Sequence, residues 1–402
     1  MFTRFIKIAI CLCLCTLLSG CWNRIELNEL AIGIGMGIDK SDGQYTVTFQ
    51  VVNPGEIAAK SGGGGKTPIV VYKSTGKTLL EAIRRMTTTA PRKIYAAHLR
   101  MVVIGSEMAT EGISEVLDLL SRDQELRTDF YFAIAKDARA EDVLKVLTPL
   151  EDIPSNKLFS SLETSEKAWA PSATMTLDQL IMELVSKGIE AKLTGIAIHG
   201  DPSTGQKQEN IEQIVPLTQL EYQGLAIFKR DKLIGWLNES ESKGLHYALG
   251  KVKSTIVTIS CPKEEGSAGV EVLETKTDLK ATIKDGQPQG NIKIQVEGNV
   301  AEVGCKGLDI TQTKKIAELE KRTEKNIKDK IKKALKVTQN EYEADAFGFG
   351  EAIHRSNPEY WKKNKDDWNQ LFTEMPVKVD IDVKIRRIGT IANSPLNEIT
   401  ED

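Results

Sequence analysis

Histidine is scarce in this chain: four among 402 residues, at His98, His199, His246 and His354. No two stand four apart, and none sits in a His-Glu-x-x-His context, so a helix-borne zinc site is excluded. A Gly-x-Ser-x-Gly nucleophile elbow is also missing. No catalytic residue, metal site or cofactor site is therefore expected. Long apolar runs are absent beyond the first 20 residues. Nothing there reaches 18 consecutive apolar residues, so no transmembrane helix is expected. Neither sign of charge dominates: 53 Lys and Arg stand against 56 Asp and Glu, a net charge of −3. That excludes a globally basic nucleic-acid binder. Cysteine is the last scarcity. Of six, four crowd into the start, leaving Cys261 and Cys305. Two cysteines make no disulfide scaffold, so a hydrophobic core must carry the fold. These two can pair or stay as free buried thiols; spacing does not decide between them.

What is there begins with the N-terminus. Arg4 and Lys7 precede an uncharged apolar run from Ile8 to Leu18, which ends in Leu18-Ser19-Gly20-Cys21. The run is too short to span a bilayer but fits the apolar region of a secretory signal. A cysteine standing directly after the small residues resembles the bacterial lipobox. That resemblance implies removal of residues 1–20 and a diacylglycerol thioether on Cys21, whose thiol is the nucleophile to be alkylated. Two acyl chains give stable anchoring where one is marginal. Cys11, Cys13 and Cys15 are then small apolar residues of a discarded leader. Without Arg4 and Lys7 the net charge moves from −3 to −5.

The remaining length suggests two or three domains. Ala31 to Ile38 alternates apolar residues with glycine, predicting a strand with a close-packed neighbour or a bulge. Gln44 to Asn53 completes a hairpin. Ser61-Gly-Gly-Gly-Gly-Lys-Thr-Pro68 mimics a phosphate loop, but Lys60 stands where the motif needs glycine and Pro68 follows at once, so a surface loop is expected. Periodicity predicts helices around Leu79–Met86, Ile113–Leu120, Ala140–Leu147 and Leu177–Leu184, and strands at Leu99–Ile104, Asp129–Ala135 and Lys192–His199. A proline- and serine-bearing connection is expected up to Ser172. The polar, turn-rich stretch 201–219 reads as a linker. Beyond it, strands at 220–237, 254–261, 269–283 and 291–303 follow without helices, which predicts an antiparallel sheet. A long helix opens at Thr311, and Pro376–Ile385 alternates as a strand closing that sheet. The expected class is α+β (mixed α/β), multi-domain: 21–200 mixed α/β, 220–305 antiparallel β-rich, 306–402 with the long helix and closing strand.

One combination of residues is more specific than any of its parts. The lipobox is followed by Cys21-Trp22-Asn23-Arg24-Ile25-Glu26-Leu27 and by Gly37-Ile38-Asp39. Later come Gly224-Leu225-Ala226-Ile227-Phe228, Gly235-Trp236-Leu237, Phe347-Gly348-Phe349-Gly350-Glu351-Ala352-Ile353-His354-Arg355, Tyr360-Trp361 and Trp368. Together they resemble the Ger(x)C family of spore germination lipoproteins, the C subunits of nutrient germinant receptors. The resemblance implies a non-enzymatic subunit on the extracytoplasmic face of the spore inner membrane, with two integral membrane partners, the A and B subunits. Only the lipidated cysteine carries over as a site residue, onto Cys21. The segment around Phe347, Phe349, His354 and Trp361 is a candidate partner surface, or else aromatic packing at a helix start.

Two other function classes compete. A solute-capturing lipoprotein of a transporter would show two α/β lobes about a cleft; an anchored cell-wall hydrolase would need a catalytic constellation. The basic residues of the long helix could face anionic headgroups, dock an acidic partner, or simply be solvated.

Overall fold

A computed structural model describes residues 2–6, 29–53, 67–261, 266–305 and 308–387. Residues 7–28, with Cys21 and most of the expected leader, lie outside the described residues, as does most of the glycine-rich stretch. The strands fall into two sheets. The first contains β1 (Leu30–Ser41), β2 (Gln44–Val52), β3 (Ile69–Gly76), β4 (Lys93–Tyr95), β5 (Met101–Gly105), β6 (Tyr131–Ala135), β7 (Lys192–His199), β8 (Gln219–Lys229) and β9 (Lys232–Leu237). Its order is β3-β2-β1-β5-β6-β7-β8-β9, with β4 beside the start of β1. The centre, β1, β5, β6 and β7, is parallel. Antiparallel hairpins flank it on both sides.

Both faces of that centre are covered by helices, which is why β5 and β6 read as unbroken apolar runs. On one face Val102, Ile104, Phe132 and Ile134 pack under α1 (Leu79–Arg85), α2 (Ser106–Glu111) and α3 (Ser114–Arg122). On the other, Met101, Val103, Ala133 and Ala135 meet α4 (Ala140–Lys145) and α5 (Pro154–Ala168). The glycines of β1 let α4 lie close: a Cβ at Gly37 would come within 2.9 Å of Leu144. A bulge also falls between Gly33 and Gly35. Helix α5 replaces the expected proline- and serine-bearing connection. Pro154 sits in its first turn, where a missing N–H does no harm, but only Leu158 and Leu162 mark a buried apolar stripe too thin to read as periodic. Helix α6 (Leu177–Val185) returns to the first face.

The second sheet has the order β10 (Thr255–Ser260), β11 (Ser267–Lys284), β12 (Gln287–Val303), β13 (Val377–Arg387). Three sequence expectations need correction here. Strands β8 and β9 extend the first sheet, with β8 pairing antiparallel to β7 across the stretch 201–219 expected as a linker. A helix, α7 (Glu239–Ala248), stands between β9 and β10. Asn238 and Glu241 form its capping box, but the buried run Ser242 through Ala248 includes Ser242, Lys243 and His246, so no apolar stripe gave it a helical period. Finally, β13 joins β12 in parallel. The crossover that makes this possible carries α8 (Thr313–Asn340), α9 (Phe349–Ser356), α10 (Pro358–Asn364) and α11 (Trp368–Glu374).

Helix α8 lies against the sheet so as to touch both of its outer strands. Arg322 and Asn326 donate to the carbonyls of Ser260 and Thr258 on β10, at 3.3 and 3.2 Å. Glu320 and Glu324 accept from the amides of Ile385 and Val383 on β13, at 2.9 and 3.3 Å. The two strand edges, which would otherwise invite pairing with another chain, are capped by one helix. Leu319, Ile327, Ile331 and Leu335 fill the space between helix and sheet.

Candidate functional site

The two sheets meet where the chain leaves α8. Tyr342 reaches β9: its hydroxyl donates to the Trp236 carbonyl at 3.0 Å and accepts from the Trp236 amide at 2.9 Å. Three residues on, Asp345 is fully buried. Its carboxylate accepts from the amides of Phe347 (3.1 Å), Gly348 (2.8 Å) and Gly350 (2.8 Å) and from the indole N–H of Trp368 (2.9 Å). Burial raises its pKa, the Gly350 amide and the Trp368 indole oppose it, and the result is about 6. The backbone wraps round the carboxylate because Gly348 takes φ +79°, a left-handed conformation that favours glycine.

The wrapped segment docks on the turn after α6. The Asp345 carbonyl accepts from the Glu190 amide at 2.9 Å, and the Glu351 amide donates to the Gly188 carbonyl at 3.0 Å. Backbones touch here: a Cβ at Gly350 would come within 2.6 Å of Gly188 Cα, and one at Gly188 within 2.5 Å of Glu351 N. Glu190 ties in two further elements, accepting from the Arg230 amide at 2.8 Å and the Asn369 side chain at 3.0 Å. Ser186 donates to Glu351 at 2.5 Å, and Lys187 pairs with Asp366. Close by, His246 of α7 is buried, with Nδ1 2.6 Å from the Ala170 carbonyl. Burial pushes its pKa down to about 4, against the pull of that carbonyl. This joint is built to hold two bodies in register. It offers no nucleophile paired with a base.

The residues singled out from sequence divide sharply. Phe347, Phe349 and Trp361 are not a partner surface: they lie 2%, 0% and 5% exposed in the core shared by α9, α11 and sheet two. The physical reason is the Asp345 turn, which carries both phenylalanines inward, where Phe349 meets Phe372 at 6.3 Å. His354 alone of the four stays at the surface, stacked on Trp361 at 5.6 Å. Cys261 and Cys305 are joined by a disulfide, with Cα atoms 5.6 Å apart, so the end of β10 is tied to the end of β12. His98, His199, His246 and His354 occupy separate elements and share no centre. Sequence reasoning missed Asp345, Glu190 and Tyr342. Asp345 carried a usable signal, a short acidic side chain just ahead of a glycine-spaced helix start, as in an Asx turn. Glu190 and Tyr342 carried none, because their partners are remote in sequence.

Comparison with known proteins bears on the whole chain. The family model described as "Spore germination protein N-terminal domain" matches residues 23–198, and that described as "Spore germination B3/ GerAC like, C-terminal" matches residues 223–389. Spore germination protein KC of Bacillus subtilis (strain 168) is 32% identical over 392 residues, covering 96% of each chain. Spore germination protein B3 of the same organism is 26% identical over 384 residues, covering 93% of this chain and 95% of its own. The crystal structure of the GerBC protein superposes with a TM-score of 0.54 at 23% identity, over 87% of this chain and 96% of that one. The chain belongs to the GerAC family of spore germination C-subunit proteins, and it has the GerBC-like fold. The family has no known catalytic activity. Among the described residues no helix is long and apolar enough to cross a membrane.

Proposed function

We propose that this chain is the lipid-anchored, non-catalytic C subunit of a nutrient germinant receptor, tethered through a diacylglycerol thioether on Cys21 and standing on the extracytoplasmic face of the spore inner membrane. It assembles there with two integral membrane subunits and supports assembly or signalling of the germination response. The observation that carries this reading is the match of both halves of the chain to germination C-subunit proteins, taken with the lipobox cysteine ahead of them. The disulfide between Cys261 and Cys305 fits an oxidising, extracytoplasmic compartment. The joint at Asp345 fits a body that transmits force or position rather than one that does chemistry. A solute-capturing role draws no support from it, since lobes that close on a ligand need a hinge and these are fastened backbone to backbone.

The test has two arms. Intact-mass analysis of the protein recovered from spores reads the N-terminus: a diacylated Cys21 is expected, and an unmodified mature N-terminus would refute the anchor. Spores lacking the gene are expected to lose their response to at least one nutrient, with Cys21→Ala restoring it poorly. Full response to every nutrient in a strain stripped of redundant receptors would refute the receptor role.

A further inference from the structure

The outward side of α8 is a ridge of lysine. Taking about 100° per residue, Lys314, Lys321, Lys325, Lys328, Lys332 and Lys336 fall within about 40° of one line along the helix, over about 33 Å. The geometry of the helix leaves that line no other direction to face. Leu319, Thr323, Ile327 and Ile331 point into the core. Arg322 and Asn326 are bound to β10 on one flank, Glu320 and Glu324 to β13 on the other. The ridge is what remains, between the two strand edges. Lys314, Lys321, Lys325, Lys332 and Lys336 are exposed, and Lys328 is half-buried.

The acids of α8 do not neutralise it. Glu320 and Glu324 serve the strand amides, and Glu318 pairs with Lys315 and Arg322. Among the described residues none of the six ridge lysines makes an ion pair, and Lys328 acts on Asp380 of β13 only from a distance. Glu318 and Asp329 are the acids of the helix nearest the line, Glu318 being already paired as above, and Asp380 and Asp382 of β13 are already paired with Lys378 and Lys384. A chain of net charge −3 thus concentrates unpaired positive charge on one straight, solvent-facing ridge.

We infer that this ridge is a docking surface for an anionic phospholipid bilayer, whose headgroups it meets along its whole length. Charge complementarity argues for a flat, multiply anionic occupant: lysine heads on flexible stems adapt to mobile phosphates without a shaped pocket, and each lysine near an anionic leaflet adds its own attraction. The proposed lipid tether at Cys21 favours a bilayer over other polyanions, and to that extent the inference rests on the proposed function. It is tested without the tether, so the two can fail separately.

The experiment is cosedimentation of the chain from Trp22 onward with vesicles. Every described strand of both sheets lies downstream of Glu29, so this chain keeps both sheets. Vesicles of phosphatidylcholine are compared with vesicles containing phosphatidylglycerol, at low and high salt. Binding is expected only to the anionic vesicles and only at low salt. The variant Lys321→Gln/Lys325→Gln/Lys328→Gln/Lys332→Gln is expected to bind at least about tenfold more weakly. A control variant, Lys276→Gln/Lys280→Gln/Lys284→Gln/Lys293→Gln, removes the same charge from β11 and β12 and is expected to bind nearly as the parent does. Matching thermal melts establish that both variants fold. Equal losses in the two variants would overturn the ridge as the contact. Absence of binding to anionic vesicles would overturn the bilayer, and salt-dependent binding to polyglutamate in that case would assign the ridge to an acidic protein instead.

Discussion

The two sheets of this protein solve the same problem in different ways. Sheet one buries a parallel centre between helices on both faces and ends in antiparallel hairpins. Sheet two has four strands and one long helix, which shares the core with α7, α9 and α11 and alone caps the outer strands. The first therefore depends on many small helix–strand contacts, the second on one dominant helix, supported by α7, α9 and α11, and on a disulfide. The difference teaches where each half is vulnerable: sheet one should tolerate local damage, while sheet two should lose stability as a unit.

The largest effect is expected at the joint between them. Asp345→Asn places an amide among four N–H donors and orphans at least one, so a loss of about 4 kcal/mol is expected from chemical denaturation. A loss below about 1 kcal/mol would mean that the cradle does not hold the halves together.

The next effect depends on pH. His246 has a folded pKa of about 4 against about 6.5 when unfolded. As pH falls through that window the unfolded chain takes up the proton and the folded one does not, so stability is lost, by about 3 kcal/mol. Asp345 works in the opposite sense: raised to about 6 from 3.8, it protonates first in the folded state, and stability is gained as pH falls. His246→Asn should remove the loss alone. Between pH 6.5 and 4 the variant is expected to improve relative to the parent by about 3 kcal/mol; a constant difference would contradict the burial of a neutral ring.

Reduction of Cys261–Cys305 sharpens the contrast between the sheets. The bond closes a span of 44 residues and is expected to contribute about 3 kcal/mol. Hydrogen exchange should accelerate in β10 to β12 and stay unchanged in β5 and β6. Uniform acceleration would show that the sheets unfold together. The smallest effect expected is that of Gly244→Ala. A Cβ there would meet the Lys330 carbonyl oxygen at 2.3 Å, so α7 must move off α8. A loss of about 2 kcal/mol, confined to sheet two by exchange, is expected.

Sequence pattern made the two-sheet architecture legible only in part. The strand–helix order of the first sheet's centre was readable because β5 and β6 are unbroken apolar runs separated by amphipathic α3, but its parallel pairing was not. Strand β13 was readable from its strict alternation, but not its parallel pairing, which depends on the crossover rather than on any residue in the strand. Helix α7 was hidden because polar Ser242, Lys243 and His246 interrupt its buried run, and without it β8 and β9 were placed in the wrong sheet. Their own composition misled too, since β8 is apolar on both sides: Ala226 and Phe228 belong to the core of sheet one, while Leu225 and Ile227 belong to that of sheet two. The aromatic segment was found for its composition, and its direction was decided by Asp345, one residue whose partners are amides and therefore invisible in side-chain patterns. The lysines of α8 were legible as a basic helix; that they form a ridge followed only once both flanks were seen to be bonded to strand edges.

The central claim is that this chain works as a membrane-held subunit beside integral membrane partners. Affinity purification of the tagged, full-length chain from gently solubilised spore inner membranes tests it most directly. The account predicts that two integral membrane germination proteins are recovered in constant proportion to it, and that Cys21→Ala reduces their recovery. Recovery of the chain alone, from membranes in which those two proteins are present and intact, would contradict it.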